Sequence, residues 1–171
     1  MIPLSNYPHI PHWTTIREAV AIFRTSQIEV NGIISLPRVL LVFHKDYSLL
    51  GLVRRRDIFR GLEPKFLRTM PHTHRRELFD MEVDINLIDL STGKIADAMC
   101  ELADQQVADI MQPIHSSVAP DDHLAKVIYK MINRDITLVP VIDNGRVVGV
   151  IRSVDALEEI GRILEEKAQQ P

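Results

Sequence analysis

Gly51-Leu52-Val53-Arg54-Arg55-Arg56-Asp57 and Gly149-Val150-Ile151-Arg152-Ser153-Val154-Asp155 share a glycine, two aliphatic residues, an arginine and an aspartate at the same spacing. Such a match marks an internal repeat, and a repeat decides the architecture before any single element does. Upstream of each glycine the pattern is apolar run, turn, apolar run. The first copy has Leu40-Leu41-Val42-Phe43, then Lys45-Asp46-Tyr47, then Leu49-Leu50; the second has Leu138-Val139-Pro140-Val141-Ile142, then Asp143-Asn144-Gly145, then Val147-Val148. Asn-Gly between two apolar runs signals a tight hairpin, because both turn positions take positive φ readily.

Further upstream, Ile16, Ala19, Val20 and Phe23 in one copy and Leu124, Val127, Ile128 and Met131 in the other recur at intervals of three, one and three, which puts each set on one helical face. Thr15 with Glu18 reads as a capping box, and Pro120-Asp121 opens the second helix with an acidic cap. A short extended piece precedes each helix, around His9-Ile10-Pro11 and Ser117-Val118-Ala119, and a further helix follows each motif aspartate. The unit is therefore βαββα, written twice. The predicted boundaries are residues 1–61 for the first copy, 62–106 for a connector with a helix from Thr92 towards Gln106, and 107–171 for the second copy with a longer last helix. The first copy is longer than the second, mostly through residues 26–38, which read as a loop insertion.

Composition sets outer bounds. A 171-residue chain with 46% apolar and 25% charged residues has the balance of a globular protein. Its apolar runs are far shorter than the roughly 20 residues that cross a bilayer. The N-terminal stretch holds Pro3, Pro8 and Pro11 and lacks the basic start and apolar core of a secretory signal. The single cysteine, Cys100, excludes an internal disulfide and a multi-cysteine zinc site, and is read as a partly buried packing residue. Together these features point to a cytoplasmic protein. A formal charge of −3 and one short basic run, Arg54 to Arg56, offer no general attraction to nucleic acid or anionic membrane. The histidine pairs His9/His12, His72/His74 and His115/His123 lack cysteine partners and HExxH spacing, so no metal site is assigned. Nor is any catalytic residue: the chain has no GxSxG elbow, GxxxxGK[ST] loop or GxGxxG loop.

The second copy resembles the CBS domain family. Val107-Ala108-Asp109-Ile110-Met111 looks like the family's entry into a repeat, Leu138 to Ile151 like its central hairpin, and Asp155 like the aspartate of its last helix. The first copy follows the same order more weakly. This resemblance implies an α+β fold, close to α/β in character: two βαββα repeats packed through their sheets with pseudo-twofold symmetry, plus the helical connector. It also implies two clefts that take adenosine-containing ligands, AMP, ADP, ATP or similar, with no cofactor required. The family motif runs glycine, two apolar residues, a serine or threonine, two variable residues, then an aspartate whose carboxylate accepts the ribose hydroxyls. Asp57 and Asp155 hold that position, while Arg54 and Arg152 replace the hydroxyl residue. Ser153 stands one place late.

The candidate ligand residues are accordingly Ile10, Arg54, Arg56 and Asp57 for one cleft and Val118, Thr137, Leu138, Arg152, Ser153 and Asp155 for the other. Each keeps a structural alternative. An Asp at a strand-to-helix junction caps the helix, the arginines either hold a ligand phosphate or salt-bridge the carboxylates, and Ile10 and Val118 either contact an adenine ring or fill the core. Function divides likewise into a sensor of adenosine ligands and a dimerisation or interaction scaffold with arginine-filled clefts. The resemblance implies a homodimer, and a module read with no effector domain attached implies regulation in trans through an unidentified partner protein.

Overall fold

The computed structural model describes residues 1–64 and 92–169. The elements, in chain order, are β1 (Ile2–Pro3), β2 (His9–Pro11), α1 (Ile16–Thr25), β3 (Ile28–Val30), β4 (Ile33–Ser35), β5 (Val39–Phe43), β6 (Leu49–Arg54), α2 (Arg55–Leu62), α3 (Thr92–Leu102), β7 (Gln112–Pro113), α4 (Leu124–Arg134), β8 (Leu138–Asp143), β9 (Arg146–Arg152) and α5 (Ser153–Ala168). Predicted hairpins and helices are all present within these residues. The helix expected from Thr92 towards Gln106 is α3 over Thr92–Leu102; residues 65–91, with His72 and His74, lie outside the described residues.

Both hairpins pair antiparallel and both carry a bulge at the same place, between Val42 and Phe43 in β5 and between Val141 and Ile142 in β8. Around this frame the copies exchange strands. β1, at the start of the first copy, pairs with β9 of the second (Ile2↔Val150, Pro3↔Gly149). β7, at the start of the second, pairs with β6 of the first (Leu52↔Gln112, Gly51↔Pro113). One sheet thus runs β2-β5-β6-β7 and the other β1-β9-β8, so neither copy is complete without the opening segment of its partner. This exchange accounts for the glycine of each motif. A Cβ on Gly51 would stand 2.5 Å from the Gln112 carbonyl oxygen, and one on Gly149 would stand 2.4 Å from that of Ile2.

Burial follows the period of two in the strands. Leu40 and Val42 face α1 and α2, packing with Ile10, Ile16, Ala19, Phe23, Val53, Ile58 and Val107. Their neighbours Val39, Leu41 and Phe43 face the opposite sheet and share a central core with Ile2, Tyr7, Leu138 and Val150. In the second copy Val139 and Val141 turn towards α4 and α5, against Val118, Val127, Met131 and Ala156. The layers are helices, sheet, sheet, helices.

Several local expectations change. The insertion at 26–38 is a hairpin, β3–β4, whose turn residues Asn31 and Gly32 have φ of 52° and 78°. It packs Ile28 into the central core at 1% exposure. α4 is opened by His123, whose ring nitrogen accepts from the Ala125 N–H at 3.2 Å, while Asp122 rather than Asp121 holds the preceding turn by accepting from the Ala119 N–H at 2.8 Å. The Thr15–Glu18 capping box is present, with the Thr15 N–H donating to Glu18 Oε2 at 2.8 Å. Cys100 is exposed, not packed, because α3 turns that face outward.

Candidate functional site

Each strand-to-helix corner of the duplicated motif is locked by its own arginine and aspartate. The strand ends at Arg54, and α2 takes over from Arg55. Asp57 is the third helical residue rather than the N-cap, and its carboxylate reaches back: Oδ2 accepts from the Arg54 N–H at 3.0 Å and from Nε at 2.8 Å, and Oδ1 accepts from Nη2 at 2.9 Å. Arg152 and Asp155 repeat this, with the Arg152 N–H on Oδ2 at 2.9 Å and Nη2 on Oδ1 at 2.6 Å. Two parallel N–H···O⁻ bonds make this the strong, orientation-specific form of an ion pair. The hydrogen bonds that the Arg54 guanidinium donates to Asp57 raise its pKa above the ordinary value, against the opposing effect of desolvation.

The two corners differ in what surrounds them. Beside Arg152 lies a cavity of about 340 Å³ whose lining includes Thr137, Leu138, Arg152, Ser153 and Asp155, five of the six residues assigned to that cleft from the sequence. Its far wall is the inserted hairpin, with Ile28, Val30, Ile33 and Ser35. Ser35 Oγ accepts from Arg152 Nη1 at 3.0 Å, which ties the insertion to the motif of the other copy. Tyr7 also lines this cavity. Its hydroxyl donates to the Val39 carbonyl at 2.9 Å, and burial pushes its phenol well above the ordinary tyrosine range. The sequence offered no motif for Tyr7. The hairpin, by contrast, was signalled by Val30-Asn31-Gly32-Ile33, the same Asn-Gly signature used for β8–β9.

The second cavity, of about 550 Å³, is lined by Arg54 and Arg56 together with Arg134, Asp135, His115 and apolar residues that include Val39, Leu52, Ile136 and Leu138. Asp57 does not line it. The residue is 1% exposed, sealed under its arginine, whereas the Asp155 side chain is 13% exposed. Ile10 and Val118, proposed as contacts for a flat ring, line neither cavity. The reason is the pleat: Ile10 pairs with Val42 and Val118 with Val141, and both side chains point under the helices with those partners. Among the described residues, no three His, Cys, Asp or Glu side chains are grouped to hold a metal ion. No helix among them is long and apolar enough to cross a membrane.

Comparison with known proteins agrees with this geometry. The CBS domain family model matches residues 107–162. No curated protein is detectably similar in sequence. Among solved structures, a CBS domain-containing protein from Kribbella flavida superposes with a TM-score of 0.63 at 19% identity, covering 91% of this chain and 92% of that one. CBSX2 in complex with AMP gives 0.60 at 14% identity over 95% and 93%. The cytosolic domain of the magnesium channel MgtE in complex with ATP gives 0.57 at 19% identity, over 92% of this chain and 46% of that one. Residues 107–162 thus match the CBS domain family, and the chain adopts, over its described residues, the fold of CBS-domain pairs.

Proposed function

We propose that this chain is a non-catalytic regulatory module that binds an adenosine-containing ligand in the cleft beside Asp155 and passes its occupancy in trans to a partner protein. The observation that carries this reading is the cavity lined by Thr137, Leu138, Arg152, Ser153 and Asp155, of a size that suits a nucleoside. The AMP and ATP complexes of structurally similar proteins support the ligand class. A ribose diol would displace Arg152 from Asp155 and take both carboxylate oxygens, freeing the guanidinium for a phosphate. Ligand affinity then differs between the latched and opened corners, which is what a regulatory coupling requires. Calorimetric titration with AMP, ADP, ATP and S-adenosylmethionine tests it. Binding by one of them that is lost in Asp155→Asn is expected; no binding by any at millimolar concentration removes the sensor reading.

A scaffold is the second reading, favoured by the two arginines folded onto their own aspartates. Both readings include a homodimer. Its support is the apolar face of α4 and α5, where Ile132 is 74%, Leu157 68% and Leu164 64% exposed. Light scattering should give the mass of a dimer for the native chain and of a monomer for Leu157→Glu. The cytoplasmic assignment rests on the single cysteine, which suits a reducing compartment.

A further inference from the structure

The two clefts are built on the same motif but differ in charge balance. Beside Arg152, the arginines Arg38 and Arg152 meet the carboxylates Asp155 and Glu158 charge for charge. Beside Arg54, once that residue is paired with Asp57, Arg56 and Arg134 face only Asp135, with His115 at the same wall. The arginines are also committed differently. Arg152 uses Nη1 on Ser35 and its side chain is 16% exposed; Arg54 is 34% exposed, and its Nη1 carries no hydrogen bond among the described residues. Asp57, 1% exposed with both oxygens occupied, is closed to a ribose diol.

We infer that the Arg54 cleft is a separate anion site for a phosphate chain, read by Arg54 Nη1, Arg56 and Arg134 without a ribose contact, while the nucleoside belongs to the other cleft. The inference rests on the sensor reading only for the second half of that statement. Guanidinium groups suit it because their planar forks match phosphate oxygens, and Arg54 lines the cavity with an Nη1 that carries no hydrogen bond among the described residues. Val39, Thr137 and Leu138 line both cavities and form the wall between them.

The probe is inorganic tripolyphosphate, titrated by calorimetry into the full chain at low and moderate salt. Binding is expected, weakening as salt rises. The double variant Arg56→Glu/Arg134→Glu, at two exposed positions, should lower the affinity at least tenfold, with the lysine pair restoring most of it. Asp155→Asn should leave it within about twofold. No binding at millimolar tripolyphosphate overturns the inference, as does an affinity indifferent to the charge reversal or lost equally in Asp155→Asn. Failure of adenosine compounds to bind while tripolyphosphate does would remove the nucleoside reading and leave the anion site standing.

Discussion

Replacing Gly149 by alanine adds one methyl group and should be among the costlier changes of its size in the chain. The new Cβ would lie 2.4 Å from the Ile2 carbonyl oxygen and 3.0 Å from Met1 Cγ. Against the first it is roughly 1 Å inside ordinary contact distance. Backbone cannot rotate away as a side-chain tip can, so either the sheet opens locally or β1 leaves β9. Overpacking of this kind costs about 1–3 kcal/mol. Release of β1 sets a similar ceiling, since it forfeits the burial of Ile2, about 2 kcal/mol, together with the pairing of a two-residue strand. The expected loss is therefore about 2 kcal/mol, which in a domain of this size lowers Tm by about 4–8 °C. Gly51→Ala meets the Gln112 oxygen at 2.5 Å and should behave alike. Gly161→Ala is the control: it lies inside α5 with nothing within 4 Å of its Cβ position, and should stabilise by about 0.5–1 kcal/mol. Scanning calorimetry on the three variants settles the matter. A Gly149→Ala protein melting at or above the parent temperature would refute the strand exchange as the reason for the glycine.

Other consequences follow from the same geometry. Asp57→Asn leaves the half-exposed Arg54 fork facing an amide, and urea unfolding should show a loss of about 1–2 kcal/mol, moderated because the guanidinium can rehydrate. At the inserted hairpin, Gly32→Val places a β-branched residue at a φ of 78° and should cost about 1–2 kcal/mol. Faster amide exchange at Ile28 would locate that loss. Glu18 is held below its ordinary value of 4.5 chiefly by the backbone N–H of Thr15, then by its hydroxyl. The folded form has the lower pKa, so this contribution is present above about 4.5 and disappears as pH falls through the folded value. Glu18→Gln should flatten that part of an acid melt followed by circular dichroism between about pH 3 and 6.

What could be read from the amino acids alone was whatever depends on neighbours along the chain. The capping box at Thr15, the Asn144-Gly145 turn and the three-and-four spacing of Ile16, Ala19 and Phe23 each specify a local conformation, and the recurrence of that spacing from Leu124, with the repeated Gly-to-Asp motif, identifies the duplicated βαββα unit. The inserted hairpin was equally legible at Asn31-Gly32, since its turn is local too. The rest depends on groups far apart in sequence. Which strand lies beside Gly51 and Gly149 is decided by segments from the opposite copy, so the glycines are intelligible only after Gln112 and Ile2 arrive beside them. Ile10 and Val118 stand in extended segments where either face is available, and pairing with Val42 and Val141 turns both inward. The duplicated Arg and Asp, alike in the sequence, acquire different surroundings in the fold. A hairpin from the first copy reaches Arg152 through Ser35, whereas Arg54 meets the end of α4, and this unequal packing leaves Asp155 at a cavity wall and Asp57 beneath one.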